Sequence, residues 1–125
     1  MYQGRRNASL EKIYARLNRK YFYNCLPKNI PIIICNLGHS KRGRRYGKIM
    51  YDIRMRREPS KKWTCYAAGI LLTNDLEIMQ LKLTMFHEMN HLYLTYRRHP
   101  RVNHGPIFQK GMMRLAKMGA FKGVW

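Results

Sequence analysis

The sequence predicts a mixed α+β fold in a single domain, and three observations support this. The chain has 125 residues, which is enough for one domain and leaves little room for a second. Its hydrophobic content of 46% is high enough to bury a core. Segments with helical spacing of apolar residues flank short β-branched or alternating runs. We therefore expect one domain over residues 1–125, with a core over about residues 8–119, that contains an N-terminal helix, a small three-stranded sheet, a central helix and a C-terminal helix.

The first part of the chain predicts one helix and three strands. Apolar residues recur at helical spacing over residues 9–23, and prolines follow that segment. The run Ile32–Cys35 is β-branched, has the length of a strand and is followed by a basic loop. Residues 45–55 alternate in part between polar and apolar side chains, which predicts a second strand broken near Gly47, and residues 64–73 predict a third.

The rest of the chain predicts two helices. We expect Asn74 to cap a helix over residues 75–96, with Glu77 as the partner residue of a capping box. That segment contains no glycine or proline and is apolar almost all round its circumference, which indicates a buried central helix. Pro106 is a residue favoured in the first turn of a helix, and Gly119 is a suitable stop for the last helix.

The chain carries a large excess of positive charge. Its 25 Lys and Arg residues face only 6 Asp and Glu residues, so the formal net charge is +19. A net charge of about 2–8 is enough to keep a small domain soluble, and dense like charges repel one another. A polyanionic partner explains such a surface best, with nucleic acid favoured over an anionic membrane.

Basic residues cluster in two segments, and aromatic residues are interleaved with the first. Cationic side chains neutralise phosphates, and exposed Tyr46, Tyr51 and Trp63 can stack on unpaired bases; the alternative is that Tyr51 and Trp63 belong to the core. No feature indicates base-specific contacts, so we expect salt-dependent binding without strong sequence preference. The residues expected to contact nucleic acid are Lys41, Arg42, Arg44, Arg45, Lys48, Arg54, Arg56, Arg57, Lys61, Lys62, Arg97, Arg98 and Arg101.

Three features bear on the compartment. The cysteines Cys25, Cys35 and Cys65 form no CxxC pair, which argues against a disulfide framework or a zinc ribbon and favours a reducing compartment. The N-terminal segment lacks the apolar stretch of a signal peptide, and the longest apolar run, residues 65–72, is too short to span a bilayer. We therefore expect a soluble protein that is cytoplasmic or nucleoid-associated, is not secreted and has no membrane partner.

The central helix carries the motif His87-Glu88-Met89-Asn90-His91. Residues four apart project from one helix face, so both imidazoles can bind one metal ion. Glu88 can then act as general base toward a water at that ion. The alternative is that both histidines are hydrogen-bonded core residues and Glu88 is a paired carboxylate. We favour the metal site, because three ionisable side chains would otherwise interrupt an apolar helix without any gain in packing.

A catalytic zinc needs a third protein ligand and one open position. No Asp or Glu follows Glu88, which excludes a downstream carboxylate, and the position of the third metzincin histidine is Arg97. His99 and His104 remain. His99 is so close to the helix end that its reach back to the metal is strained. His104 directly precedes Gly105-Pro106 and the last helix, so we favour it, with a loop or helix-cap histidine as the alternative.

Two motifs together resemble a known family. The HExxH motif at residues 87–91 and, after a gap of twelve residues, His104-Gly105-Pro106-Ile107-Phe108 are similar to the SprT-like metallopeptidases, which include bacterial SprT and the eukaryotic protease Spartan. Tyr21-Phe22 before Leu26-Pro27, and the strand that leads into the metal helix, also occupy places typical of the family. The resemblance covers about residues 10–119.

The resemblance implies a zincin-like minimal metalloprotease domain. His87, His91 and His104 would hold one catalytic Zn²⁺, and Glu88 would activate water for attack on a peptide carbonyl. Eukaryotic members degrade proteins crosslinked to DNA, which implies an endopeptidase recruited to nucleic acid, with DNA favoured, and a role in DNA–protein crosslink repair. The tyrosines that could stabilise the oxyanion are Tyr51, Tyr66, Tyr93 and Tyr96.

One departure from the family concerns the C-terminus. Longer members carry a cysteine-rich zinc ribbon or partner-binding tails, whereas this sequence ends at Trp125 without them, which would also suit a phage-encoded protein. Two other functions remain open. One is a non-catalytic basic nucleic-acid-binding protein whose structural zinc has a fourth ligand such as a cysteine. The other is a metal-dependent nuclease, which the scarcity of acidic residues disfavours.

Overall fold

A computed structural model describes residues 4–37, 39–40, 43–44, 46–55, 63–74, 76–96 and 104–122 of the protein. These residues contain three helices, which are α1 (Ala8–Tyr21), α2 (Ile78–Tyr96) and α3 (Pro106–Lys117). They also contain six strands, which are β1 (Gly4–Arg6), β2 (Ile32–Cys35), β3 (His39–Ser40), β4 (Gly43–Arg44), β5 (Gly47–Met55) and β6 (Trp63–Thr73). The α+β prediction is confirmed. None of the helices in the described part of the chain is both long enough and apolar enough to cross a membrane.

The main sheet has four strands in the order β1-β2-β6-β5. Strands β2 and β6 are parallel, whereas β1 pairs with β2 and β5 pairs with β6 in antiparallel fashion. Strands β3 and β4 form a separate two-stranded hairpin within the segment predicted as a basic loop. The order places β5 at the edge of the sheet, where its first residues face α2.

The sheet has one strand more than the sequence predicts. Strand β1 is only three residues long, and Arg5 and Arg6 leave it without the apolar alternation that signals a strand. It forms by pairing with β2, with Gly4 opposite Cys35, and all three of its residues are exposed. A short charged strand is typical of a sheet edge, because it discourages pairing with other chains.

Strand β5 differs from its prediction in where it is irregular. The sequence suggests a break near Gly47, but the strand begins at that residue and pairs it with Leu72 of β6. The irregularity is a register shift between Met50 and Tyr51. Gly47 therefore marks the start of the strand, and its importance lies in a close contact with α2 that is described below.

Helix α1 is amphipathic and covers one side of the core. The side chain of Asn7 caps it by accepting a hydrogen bond from the Leu10 N–H at 2.9 Å. The helix ends two residues earlier than predicted, because Tyr23 and Asn24 have φ angles of 54° and 57°, which cannot continue a right-handed helix. Its buried residues are Leu10, Tyr14, Leu17, Asn18 and Tyr21.

The core fixes the rotation of α2. Phe86 is fully buried, and its ring centroid lies 5.6 Å from that of Tyr21, 5.9 Å from that of Phe22 and 5.3 Å from that of Phe121. Met89, one turn further, is also fully buried. With these side chains directed into the core, a neighbouring row of α2 is left facing outward, and the motif histidines lie in that row.

The start of α2 differs from the prediction in two ways. Asn74 does not cap the helix, which begins only at Ile78; instead the Glu77 carbonyl accepts the first helical hydrogen bond, from the Leu81 N–H at 2.9 Å. The Glu77 N–H in turn donates to Gln80 Oε1 at 3.2 Å, which is the reverse half of a capping box with glutamine in the third position. The helix is also not buried all round, because its first two turns expose apolar side chains, including Ile78.

Helix α3 starts and stops as predicted. It begins at Pro106, and Gly119 follows its end with a φ of 82°, a left-handed conformation that favours glycine. The Ala120 N–H donates to the Leu115 carbonyl, and the Gly119 N–H donates to the Ala116 carbonyl, both at 3.0 Å. These two bonds form a Schellman motif, which satisfies the last carbonyls of the helix.

Candidate metal centre

Three histidines meet where α2 packs against the start of α3. His87 and His91 lie one turn apart on the outward row of α2, and His104 directly precedes the Gly105 cap of α3. The Nε2 atom of His104 lies 2.9 Å from Nε2 of His87 and 3.1 Å from Nε2 of His91. The Gln109 side chain donates to the His104 carbonyl at 3.1 Å and so holds this residue against the first turn of α3. The three ring nitrogens therefore surround one point.

The arrangement fits a divalent metal ion and is compatible with zinc. Around a tetrahedral zinc with Zn–N bonds of 2.0–2.1 Å, neighbouring nitrogens lie about 3.3 Å apart, close to the two separations observed. The ligand atoms of the three histidines all lie within 4.8 Å of one another. Among the described residues, no fourth His, Cys, Asp or Glu joins this group. Three imidazoles are one of the donor sets by which proteins hold zinc.

Burial prepares the two helix histidines to act as ligands. Together with a smaller effect of the neighbouring imidazoles, whose positive charges would repel at such short range, burial lowers the pKa of His87 and of His91 to about 4 in each case. Both rings are therefore neutral at physiological pH. Neutral imidazole is the form that donates a lone pair to a metal, so binding would require little proton release from these two residues.

Phe108 forms a platform beneath all three imidazoles. Its ring centroid lies 4.7 Å from that of His87, 4.3 Å from that of His91 and 5.1 Å from that of His104. The side chain is buried and so cannot move aside easily. The sequence places Phe108 in the motif that begins at His104, but it does not show that the ring contacts all three imidazoles. The signal for that contact is its position four residues after His104, one helical turn beyond a ligand that itself precedes the helix.

Asn90, between the two motif histidines, joins α2 to α3. It is fully buried, and its Nδ2 donates to the Phe108 carbonyl at 3.1 Å. Its Oδ1 has no hydrogen-bond partner among the described residues and lies against Gly111 of α3. A Cβ at Gly111 would overlap that oxygen and would lie 2.9 Å from Nδ2. The missing side chain of Gly111 therefore allows α3 to approach α2 closely enough to bring His104 to the other two histidines.

Glu88 lies on the side of the site that faces β5. It is buried, and burial raises its pKa to about 7, because a carboxylate loses hydration there. A carboxyl group that titrates near neutral pH is well suited to accept and return a proton. A Cβ at Gly47 would lie 3.1 Å from Glu88 Oε1 and 2.8 Å from Thr84 Cγ2. Glycine at the start of β5 therefore leaves the space that this carboxyl group occupies.

An open cleft of about 570 Å³ exposes the site to solvent. This volume is within the range of small-molecule and peptide-side-chain pockets. The cleft brings the three histidines and Glu88 together with the first residue of β5, the residue before it and two residues from the second turn of α2. Its lining residues are Tyr46, Gly47, Leu83, Thr84, His87, Glu88, His91 and His104.

The structure separates the tyrosine candidates for oxyanion stabilisation. Tyr93 is buried away from the cleft, with its ring 5.6 Å from that of Phe22 and 5.1 Å from the guanidinium of Arg114. It is therefore a core residue. Tyr46, which sequence reasoning considered only for base stacking, is the tyrosine that lines the cleft. The side chains of the other three candidates, Tyr51, Tyr66 and Tyr96, lie outside the described residues.

Neither described cysteine side chain takes part in the site. Cys25 is exposed, and Cys35 is buried with Leu37 and Leu71 in a small cluster that is separate from the main hydrophobic core. The side chain of Cys65 lies outside the described residues. Among the described residues, no cysteine thiolate therefore joins the three histidines as the fourth ligand that would define a structural zinc site.

The predicted nucleic-acid contacts fall mainly outside the described residues. Lys48 of β5 is described with its side chain and is exposed. Arg44 and Arg54 are described for their backbones only, in β4 and β5. The predicted contacts beyond the described residues are Lys41, Arg42, Arg45, Arg56, Arg57, Lys61, Lys62, Arg97, Arg98 and Arg101.

The α+β fold and the three-histidine site with its adjacent glutamate define a metallopeptidase-like domain. The chain belongs to the SprT-like family, whose model matches residues 10–123 and so covers nearly the whole chain. The family resemblance of the two motifs is thereby confirmed. Comparison with curated proteins and with solved structures gives no match to this chain.

Proposed function

We propose that this protein is a zinc-dependent endopeptidase that cleaves proteins bound or crosslinked to nucleic acid. The observation that carries the proposal is the convergence of three Nε2 atoms beside a buried glutamate in an open cleft. Membership of the SprT-like family supports the same chemistry. The three histidines would hold one zinc ion, and Glu88 would be the catalytic base.

Different residues of the chain would have different roles in peptide hydrolysis. Zinc, when bound, would supply Lewis-acid polarisation of the reacting groups. Glu88 would take a proton from the attacking water at one carboxylate oxygen while the new C–O bond forms at the peptide carbonyl. It would then deliver that proton to the amine nitrogen as the C–N bond breaks. Phe108 and Asn90 would keep the three imidazoles in place throughout, because one packs under the rings and the other joins the two helices.

Zinc content and proteolysis measured together test the metal part of the proposal. The purified protein should bind one zinc per chain and cleave an unfolded protein substrate; a chelator should stop the cleavage, and added zinc should restore it. His104→Ala should lose most of the bound zinc, since three ligands become two. The matched control is His99→Ala, the other histidine downstream of the motif, which should keep its zinc. Equal zinc loss in both variants, or proteolysis that survives chelation, would overturn the assignment.

The charge of the chain supports recruitment to nucleic acid. A net charge of +19 on 125 residues is far beyond what solubility requires, and Lys48 is exposed at the edge strand next to the cleft. Contacts to phosphates release bound counterions, so the logarithm of the binding constant should fall linearly with the logarithm of salt concentration, with a slope of about −0.9 per phosphate contact on duplex DNA. Fluorescence anisotropy with labelled duplex and single-stranded oligonucleotides measures this slope. Absence of binding at 50 mM salt, a condition that favours such contacts, would refute the recruitment.

A further inference from the structure

The first two turns of α2 carry large apolar side chains that are not buried. Ile78, Met79 and Leu83 are 60%, 54% and 38% exposed, in a helix whose next turns are almost completely buried. Large exposed apolar groups next to one another on a small domain commonly mark a binding surface. Leu83 also lines the cleft that holds the three histidines. The exposed group is therefore continuous with the candidate metal centre.

The spacing places this apolar surface in register with the proposed ligands. Met79, Leu83 and His87 follow one another at intervals of four residues, so they form one row along the helix. One such interval is a rise of about 6 Å. Two residues of an extended peptide span about 6.6 Å. A peptide side chain that contacts Leu83 would thus belong to a residue within two positions of the bond at the metal centre.

The described lining of the cleft differs in chemistry from the strongly cationic composition of the chain. Among the described residues that line the cleft there is no Lys or Arg, and its large side chains besides the histidines and Glu88 are those of Leu83 and Tyr46. The net charge of +19 alone would suggest a preference for acidic segments near the scissile bond. The lining favours an uncharged apolar side chain instead, because such a group loses little hydration on contact with Leu83.

We propose that Leu83 and Tyr46 form a specificity subsite that accepts an apolar side chain of the substrate within two residues of the scissile bond. Met79 extends this surface by one helical turn. The inference rests on the proposed peptidase function and adds a substrate preference to it. A second copy of this chain is a poor occupant, because two chains that each carry +19 would repel one another on contact.

Mapping of cleavage sites tests the subsite. An unfolded protein of mixed composition is digested by the zinc-loaded enzyme at high salt, which suppresses charge effects, and the new termini are identified by mass spectrometry. We expect Leu, Ile, Met or Phe to be enriched at one position within two residues of the cut. A synthetic peptide with Leu at that position should be cleaved about tenfold more efficiently, in kcat/KM, than its Ala counterpart.

Variants at Leu83 test whether this residue causes the preference for an apolar substrate side chain. Leu83→Lys should abolish the tenfold discrimination, and Leu83→Ala, a milder change, should reduce it. The matched control is Met118→Lys, which adds the same charge at a 43% exposed apolar residue beyond the end of α3 and outside the cleft lining. Zinc content and circular dichroism are measured first, so that a variant that fails to fold or to bind zinc is recognised.

The outcomes separate the subsite from the proposed function. If the wild type cleaves without apolar enrichment, or if Leu83→Ala and Leu83→Lys both keep the wild-type discrimination, the subsite is refuted and the peptidase function stands. If the zinc-loaded wild type cleaves nothing, the proposed function is refuted and the subsite with it. Apolar enrichment that Leu83→Lys removes and Met118→Lys preserves supports both.

Discussion

Replacement of Gly111 by alanine tests the packing of α3 on α2, because two effects of the change oppose each other. In an exposed helix interior, alanine in place of glycine stabilises by about 0.5–1 kcal/mol. At Gly111 the added Cβ would overlap Asn90 Oδ1 and would lie 2.9 Å from Nδ2 and 3.0 Å from Cγ of the same side chain. Helix propensity therefore predicts stabilisation, whereas the contact with Asn90 predicts the reverse.

The surroundings of Asn90 set the magnitude. The side chain is fully buried, and its Nδ2 donates to the Phe108 carbonyl at 3.1 Å. If the side chain moves, that hydrogen bond is lost and a buried amide group is left unpaired, at a cost of about 1–3 kcal/mol. If α3 moves instead, overpacking costs about 1–3 kcal/mol. After the gain in propensity is subtracted, we expect Gly111→Ala to lower the free energy of unfolding by roughly 1–2 kcal/mol.

Urea denaturation of the metal-free protein measures this effect in a double-mutant cycle. The cycle compares the wild type, Gly111→Ala, Asn90→Ala and the double variant. Because Asn90→Ala removes the atoms that the new methyl group would meet, Gly111→Ala in that background should be neutral or stabilising. The two changes should then be coupled by at least about 1 kcal/mol. Stabilisation by Gly111→Ala in the wild-type background would refute the close contact between the two helices.

Two further predictions concern the platform and the histidines. Phe108→Ala should lower the free energy of unfolding by about 3–5 kcal/mol and weaken zinc binding, and Phe108→Leu should have an intermediate effect on both. Competition with a chromophoric chelator measures the zinc affinity. An unchanged zinc affinity in Phe108→Ala would contradict the role of Phe108 as a platform. Burial lowers the pKa of His87 and His91 to about 4 and raises that of Glu88 to about 7. As the pH falls from 7 to 5, the two imidazoles take up protons in the unfolded chain but not in the folded one, which destabilises the fold, while Glu88 takes one up in the folded chain, which stabilises it. The destabilising effect of the two imidazoles exceeds the stabilising effect of the one carboxyl group, so the metal-free protein should be less stable to urea at pH 5 than at pH 7. Equal or greater stability at pH 5 would contradict these pKa values.

The position of the site was predictable because helical spacing is a local property. The interval between His87 and His91 places both rings on one face in any α-helix, whatever the helix packs against. The buried Phe86 then explains why that face is accessible rather than buried. The place of His104 was predictable from its proximity to a helix start at Pro106, and the structure brings its ring nitrogen to both partners.

The features that sequence reasoning missed depend on contacts between distant segments. Strand β1 exists only because β2 offers it a partner, and its own residues carry no strand signal. The contact of Gly111 with Asn90 joins residues 21 positions apart, and glycine within a helix ordinarily indicates only a lower helix propensity. Hydrophobic content also could not show that Leu83 is exposed, because an apolar residue on an all-apolar helix has the same signature whether it meets the core or a cleft.

The measurement that tests the central claim most directly is the rate of peptide cleavage by Glu88→Gln at equal zinc occupancy. Glutamine keeps the shape of the side chain but cannot accept the proton of the attacking water. The matched control is Glu77→Gln, an exposed residue at the start of the same helix. We expect Glu88→Gln to retain zinc and to lose activity by a factor of about 10²–10⁴, while Glu77→Gln keeps the wild-type rate. Wild-type cleavage by zinc-loaded Glu88→Gln would contradict the proposed mechanism.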